Sequence, residues 1–139
     1  MAYRPYLFFG GNCRDAFTRY KEIFGGELTL LDMKDAPGQE EAPPEVANMI
    51  IHAALADGDN LLMGSDDPMS ESFGPVQGMM VTVDAADDAE AKRVFDALAE
   101  GGTVTQALEP TFFSSAFGMC TDRFGTPWMI VGPDPNAAG

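Results

Sequence analysis

Positive charge is what this chain has least of. It carries 8 Lys and Arg against 22 Asp and Glu, a formal net charge of -14 over 139 residues. A surface that acidic repels phosphate backbones, which excludes nucleic acid as the expected partner and reads first as colloidal solubility. Histidine is nearly absent, with His52 the only one, so no His-rich metal cluster can be built. The 2 cysteines, Cys13 and Cys120, make no metal-type pair. Without a signal-type leader they read as free thiols rather than a disulfide. No run of about eighteen apolar residues exists, so no membrane span is expected. The opening MAYRPYLFFGGN lacks a secretory leader's long apolar region. The expected location is the cytoplasm.

What the chain does have is one structural sentence stated twice. The length suits a single domain, and 45% hydrophobic content supports a packed core without staples. The first statement covers 5–66, the second 77–132, with a linker 67–76 between them and a tail 133–139. Tyr6 to Phe9 reads as a buried strand broken by Gly10-Gly11. Asn12 stands as an N-cap before a helix whose apolar face is Ala16, Phe17, Tyr20, Ile23 and Phe24. The pair Gly25-Gly26 stops that helix. Glu27 to Met33 and Met49 to Ala56 read as strands, and Asp57-Gly58-Asp59-Asn60 as the hairpin turn into Leu61 to Ser65.

The second half repeats the order. Met79 to Val83 reads as a strand, and one of Asp84, Asp87 and Asp88 as the cap. Ala91, Val94, Phe95, Leu98 and Ala99 form the helix face, and Gly101-Gly102 the stop. Strands follow at Thr103 to Leu108, Thr111 to Ser115, Phe117 to Thr121 and Trp128 to Val131. The stretch Lys34 to Ala47, with three prolines and four acids, is expected to be a mobile loop. The fold class is therefore α+β: two β-α-β-β-β modules forming a cup, with helices on the convex face.

The blocks PYLFFGGNCRDAFTRYKEIFGGEL, HAALADGDNLLMGSD and TFFSSAFGMCTDRFGTPWMIV resemble the PhnB-like branch of the vicinal oxygen chelate superfamily, over nearly the whole chain. That superfamily also holds glyoxalase I, the fosfomycin- and bleomycin-resistance proteins and extradiol dioxygenases. The resemblance implies a homodimer and a cup in which a divalent ion polarises two neighbouring substrate oxygens. It also implies metal-ligand positions on the first and last strand of each module. Here these fall on Pro5, Leu61 or Met63, Gly78 and Met129, none of them a usual ligand for a hard or borderline cation. No metal or other cofactor is therefore expected. The branch often carries a ubiquinone-methyltransferase label, but no glycine-rich turn sits in a parallel α/β pattern to take a methyl donor.

His52 is the candidate catalytic residue. A two-residue turn at Asp57-Gly58 or Gly58-Asp59 puts it opposite Met63 or Ser65, on the cup face with Ala54, Leu61 and Met63. A three-residue loop would reverse that face. It reads either as a general base or donor to a ligand, or as a strand histidine satisfied by Ser65 or a carbonyl. The expected ligand-binding set is Leu7, Phe9, His52, Met63 and Ser65 from the first module, with Phe113 and Met129 from the second.

Lesser readings concern single residues. Trp128 packs under the helices. Cys120 is buried and inert, and Cys13 is slightly activated by the helix dipole. Asp66, Asp67 and Glu71 are solvated linker acids.

Three functions remain open. One is an apolar cup binding a small organic, cationic drug-like molecule without the usual metal. A second is a metal-dependent lyase, isomerase or dioxygenase-type enzyme with His52 as ligand or base. The third is a protein kept for interaction alone.

Overall fold

The computed structural model describes residues 1–67 and 76–136. The linker 67–76, apart from its ends, and the tail after residue 136 lie outside the described residues. The chain divides into two compact units, each built in the same order.

In the first unit, β1 (Tyr6–Phe9), α1 (Cys13–Phe24), β2 (Glu27–Asp32), β3 (Ile50–Asp57) and β4 (Asn60–Asp66) make one helix and one sheet of order β1-β4-β3-β2. In this sheet β1 pairs with β4 in parallel, and β2 with β3 and β3 with β4 antiparallel. In the second, β5 (Val81–Asp84), α3 (Asp88–Ala99; α2, Pro44–Ala47, is a four-residue turn in the first unit), β6 (Thr103–Glu109), β7 (Phe117–Thr121) and β8 (Pro127–Val131) give the same order, β5-β8-β7-β6. This is the α+β fold of two four-stranded mixed sheets that the repeat predicts.

The amphipathic spacing does what it should. Ala16, Phe17, Tyr20 and Ile23 are buried under α1, and Ala91, Val94, Phe95 and Leu98 under α3. Each large side chain so buried is worth roughly 1.5–3 kcal/mol over leaving it in water. The α3 N-terminus is capped reciprocally: Asp87 accepts from the Glu90 N–H at 2.7 Å, and the Glu90 carboxylate accepts from the Ala86 N–H at 2.8 Å.

The two Gly-Gly stops have a second role beyond ending helices. Gly25 and Gly101 take positive φ, 75° and 76°, which an L side chain rarely adopts, though the ψ of -154° at Gly25 lies outside the left-handed helical region and so is not the left-handed cap expected there. The following glycine is where the chain lies against the hairpin. A Cβ on Gly26 would stand 2.5 Å from the Ala56 carbonyl oxygen, and one on Gly102 would stand 2.2 Å from that of Thr121. In the second pair the first glycine supplies conformation and the second supplies room; Gly26, with φ 85°, supplies both.

Three expectations are corrected. Thr111 to Ser115 is a turn, because the Thr111 hydroxyl accepts from the N–H groups of Phe113 and Ser114 (3.3 and 3.1 Å) and so closes the backbone on itself. The stretch 34–47, expected as a loop, is not loop throughout. A 3-10 turn (Met33–Asp35) and the helical turn α2 (Pro44–Ala47) bracket it, and the Met33 N–H donates to the Met49 carbonyl at 2.8 Å. Asp66 is not a solvated acid but a buried organising group. No helix among the described residues is long and apolar enough to cross a membrane.

Candidate functional site

Register decides which side chains meet. Asp57 opposes Asn60, so the β3–β4 loop is Gly58-Asp59, and Ala54 opposes Met63. The same register sets His52 level with Ser65. In β1, Tyr6 stands beside Met63 and Phe8 beside Ser65. In β2, Leu31 stands opposite His52. Because side chains alternate, Tyr6, Phe8, Leu31, His52, Ala54 and Met63 share one sheet face. It is the face away from α1: Tyr6 is 39% exposed, Phe8 55% and Leu31 38%.

Leu7 and Phe9 take the other face. Both are buried, and the Phe9 ring meets Phe17 of α1 edge-on at 6.1 Å. They therefore do not join His52. Their places on its face are held by Tyr6 and Phe8. The run Tyr6-Leu7-Phe8-Phe9 is apolar at every position, so nothing in its pattern marks which parity faces the helix.

The structure gives His52 a partner that sequence spacing missed. The Tyr6 hydroxyl and His52 Nδ1 lie 3.2 Å apart, reaching across β4, with ring centroids at 5.8 Å. Tyr6 also packs on Phe8 at 5.2 Å. No buried side-chain nitrogen or oxygen among the described residues lacks a partner, and Nε2 of His52 has none, so Nε2 is open to solvent. Ser65 is buried at the floor of the same face. Together these make a polar pair set in an apolar surround, able to exchange hydrogen bonds with something laid on the sheet.

Asp66 supports this face from behind. Its Oδ1 accepts from the N–H groups of Gly11 and Cys13, both at 3.0 Å, and its Oδ2 accepts from Ile50 N–H at 2.9 Å. It fixes the β1–α1 turn to the strand that carries His52 and does what the Asn12 side chain, which makes no capping bond, does not.

In the second unit, Met129 opposes Met119 on the face away from α3, while Trp128 is buried. The Trp128 Nε1–H donates at 2.8 Å to Asp122, which also accepts from Phe124 and Thr126 N–H and so organises the hairpin turn. Phe113 lies in the turn after β6, its ring 5.0 Å from that of Phe117.

The cysteines are not reactive groups. Burial, then the Asp66 carboxylate, push the Cys13 thiol up to about 12 against the pull of Arg14, which overrides the helix-dipole expectation. Burial and then Asp122 push Cys120 up to about 11. Both folded values lie above the ordinary 9.0, so the unfolded chain releases these protons first. The stability the thiols contribute is complete below pH 9 and is lost as pH rises from 9 through 11 to 12. Urea midpoints measured across that range are expected to fall more steeply in the wild type than in a Cys13→Ala, Cys120→Ala double variant.

With this geometry in hand, the comparisons are decisive for family. The sequence profile described as 3-demethylubiquinone-9 3-methyltransferase matches residues 2–131. The chain belongs to that family. Protein YjdN of Escherichia coli K12 is 35% identical over 138 residues, 94% of either chain. The crystal structure of protein PA1353 from Pseudomonas aeruginosa is 40% identical, covers 96% of this chain and 98% of its own, and superposes with a TM-score of 0.86. A Bacillus cereus PhnB protein, described as a 3-demethylubiquinone-9 3-methyltransferase, shares the fold at 23% identity and a TM-score of 0.77, over 95% and 99% of the two chains. Glyoxalase/bleomycin-resistance/dioxygenase and fosfomycin-resistance proteins share the fold at 14% and 8% identity. Neither sheet here is the doubly wound parallel sheet of a methyl-donor fold. The methyl transfer in the family's description is therefore not carried over to this chain.

Proposed function

We propose that the protein binds a small organic molecule on the open face of the β1–β4 sheet, with Tyr6 and His52 as its polar contact. The observation that carries this is the 3.2 Å hydroxyl–imidazole pair among exposed Phe8 and Leu31. Apolar walls with a few convergent polar groups are what a small-molecule site needs.

A divalent metal does not fit this face. By register the donors on this face are the His52 imidazole, the Tyr6 phenol, the Ser65 and Thr29 hydroxyls and, at the far end of β2, the Glu27 carboxylate, and no group of three His, Cys, Asp or Glu among the described residues could hold an ion. A Met63 thioether is soft and neutral and adds nothing for such a cation. No step is therefore routed through a metal.

Thermal shift against a broad panel of small neutral and cationic organics tests the reading. A ligand held near 100 times its Kd adds about 2.7 kcal/mol, a rise in Tm of several degrees, and His52→Ala should abolish it. Ni, Mn, Zn and Fe(II) are expected to leave Tm unchanged. A flat response across the panel, or a saturable rise with one of those metals, contradicts the proposal.

A further inference from the structure

The polar pair is not symmetric, and its asymmetry names the ligand's anchoring group. A phenolic O–H is a better donor than the N–H of a neutral imidazole, and a bare imidazole nitrogen is a better acceptor than a phenol oxygen. At the 3.2 Å Tyr6–His52 contact, whose direction follows the histidine tautomer, this preference favours the hydroxyl as donor to Nδ1. That leaves the proton on Nε2, the open atom. We infer that Tyr6 is a positioning residue that holds His52 as the Nε2–H tautomer, and that this N–H receives the carbonyl oxygen of a neutral, planar, apolar compound such as an aryl ketone or amide. This rests on the ligand-binding reading of the same face.

Three observations exclude the neighbouring classes. By register no Lys or Arg of β1 to β4 shares His52's face, whereas Glu27 does, and the chain carries a net charge of -14, so an anion meets no counter-charge. A cation would meet the Nε2–H donor, which repels it. A pure hydrocarbon would leave that donor without the partner it keeps in water, a loss of about 1–3 kcal/mol. The Tyr6 and Phe8 rings, 5.2 Å apart, give a planar body its stacking surface.

The single histidine makes the test direct. At pH 8.5, the ring nitrogens of His52 in uniformly 15N-labelled protein should report the Nε2–H tautomer as the dominant form. Tyr6→Phe, which keeps the ring and removes the hydroxyl, should give a mixture. Acetophenone, its shape-matched hydrocarbon α-methylstyrene, and phenyltrimethylammonium serve as probes. Acetophenone should shift the His52 signals saturably and bind about tenfold tighter than either of the others, a preference worth about 1.4 kcal/mol. In Tyr6→Phe that preference should shrink severalfold. A dominant Nδ1–H tautomer, or equal binding of α-methylstyrene, overturns the carbonyl assignment while the face remains a binding site. Tighter binding of the ammonium probe does the same. If no probe gives a saturable shift and the wider thermal panel is also flat, the binding reading falls with it.

Discussion

Asp66→Ala is expected to lower the unfolding free energy by about 3–5 kcal/mol and Tm by roughly 10 °C or more. The side chain is buried, and its two oxygens take the N–H groups of Gly11, Cys13 and Ile50. Alanine leaves those three donors without a partner inside the fold. Each such donor costs about 1–3 kcal/mol, less whatever an entering water recovers. Asp66→Asn keeps one acceptor oxygen and should lose about half as much. Chemical denaturation of the two variants checks the ordering. Equal, small losses would mean that the β1–α1 turn is held by something other than this carboxylate.

Gly102→Ala is expected to cost about 3 kcal/mol or more, against about 1–2 kcal/mol for Gly101→Ala. The adjacent glycines face different constraints. At Gly101 the φ of 76° is unfavourable for an L residue, but the nearest atom to a Cβ, on the flexible Arg123 side chain, is 3.3 Å away and can yield. At Gly102 a Cβ would lie 2.2 Å from the Thr121 carbonyl oxygen and 2.9 Å from the Asp122 backbone, neither of which can yield without opening the β7–β8 hairpin. Gly26→Ala should resemble Gly102→Ala, with the added strain of its φ of 85°. Urea melts of the three variants give the comparison. Equal costs at Gly101 and Gly102 would contradict the close-approach explanation.

These two sites show where sequence was informative and where it was silent. The Gly-Gly repeat, the helix faces at three- and four-residue spacing and the hairpin at Gly58-Asp59 are local signals, each set by residues close in the chain. They located the elements and put His52 on the face with Met63. Tyr6 is out of reach of the sequence because β1 is apolar throughout, and its parity is set by pairing with β4, whose partners lie 57 residues later (Tyr6 with Met63, Phe9 with Asp66). Leu7 and Phe9 were misplaced for the same reason. Asp66 looked like the first of several linker acids. Its burial goes with donors in two separate segments, the β1–α1 turn and β3, which no spacing rule collects. The helix position of Cys13 predicts a slightly activated thiol, whereas burial outweighs the dipole.

The central claim is that the sheet face carrying Tyr6 and His52 holds a small organic molecule. The most direct measurement is a ring-proton and ring-carbon NMR titration of the compounds that stabilise the protein. His52, as the only histidine, supplies one unambiguous set of signals. The account predicts that His52, Tyr6 and Phe8 signals move together and saturate with one binding constant, while the buried Phe9 and Phe17 stay in place. Stabilising compounds that leave His52 and Tyr6 unmoved while shifting signals elsewhere would contradict it.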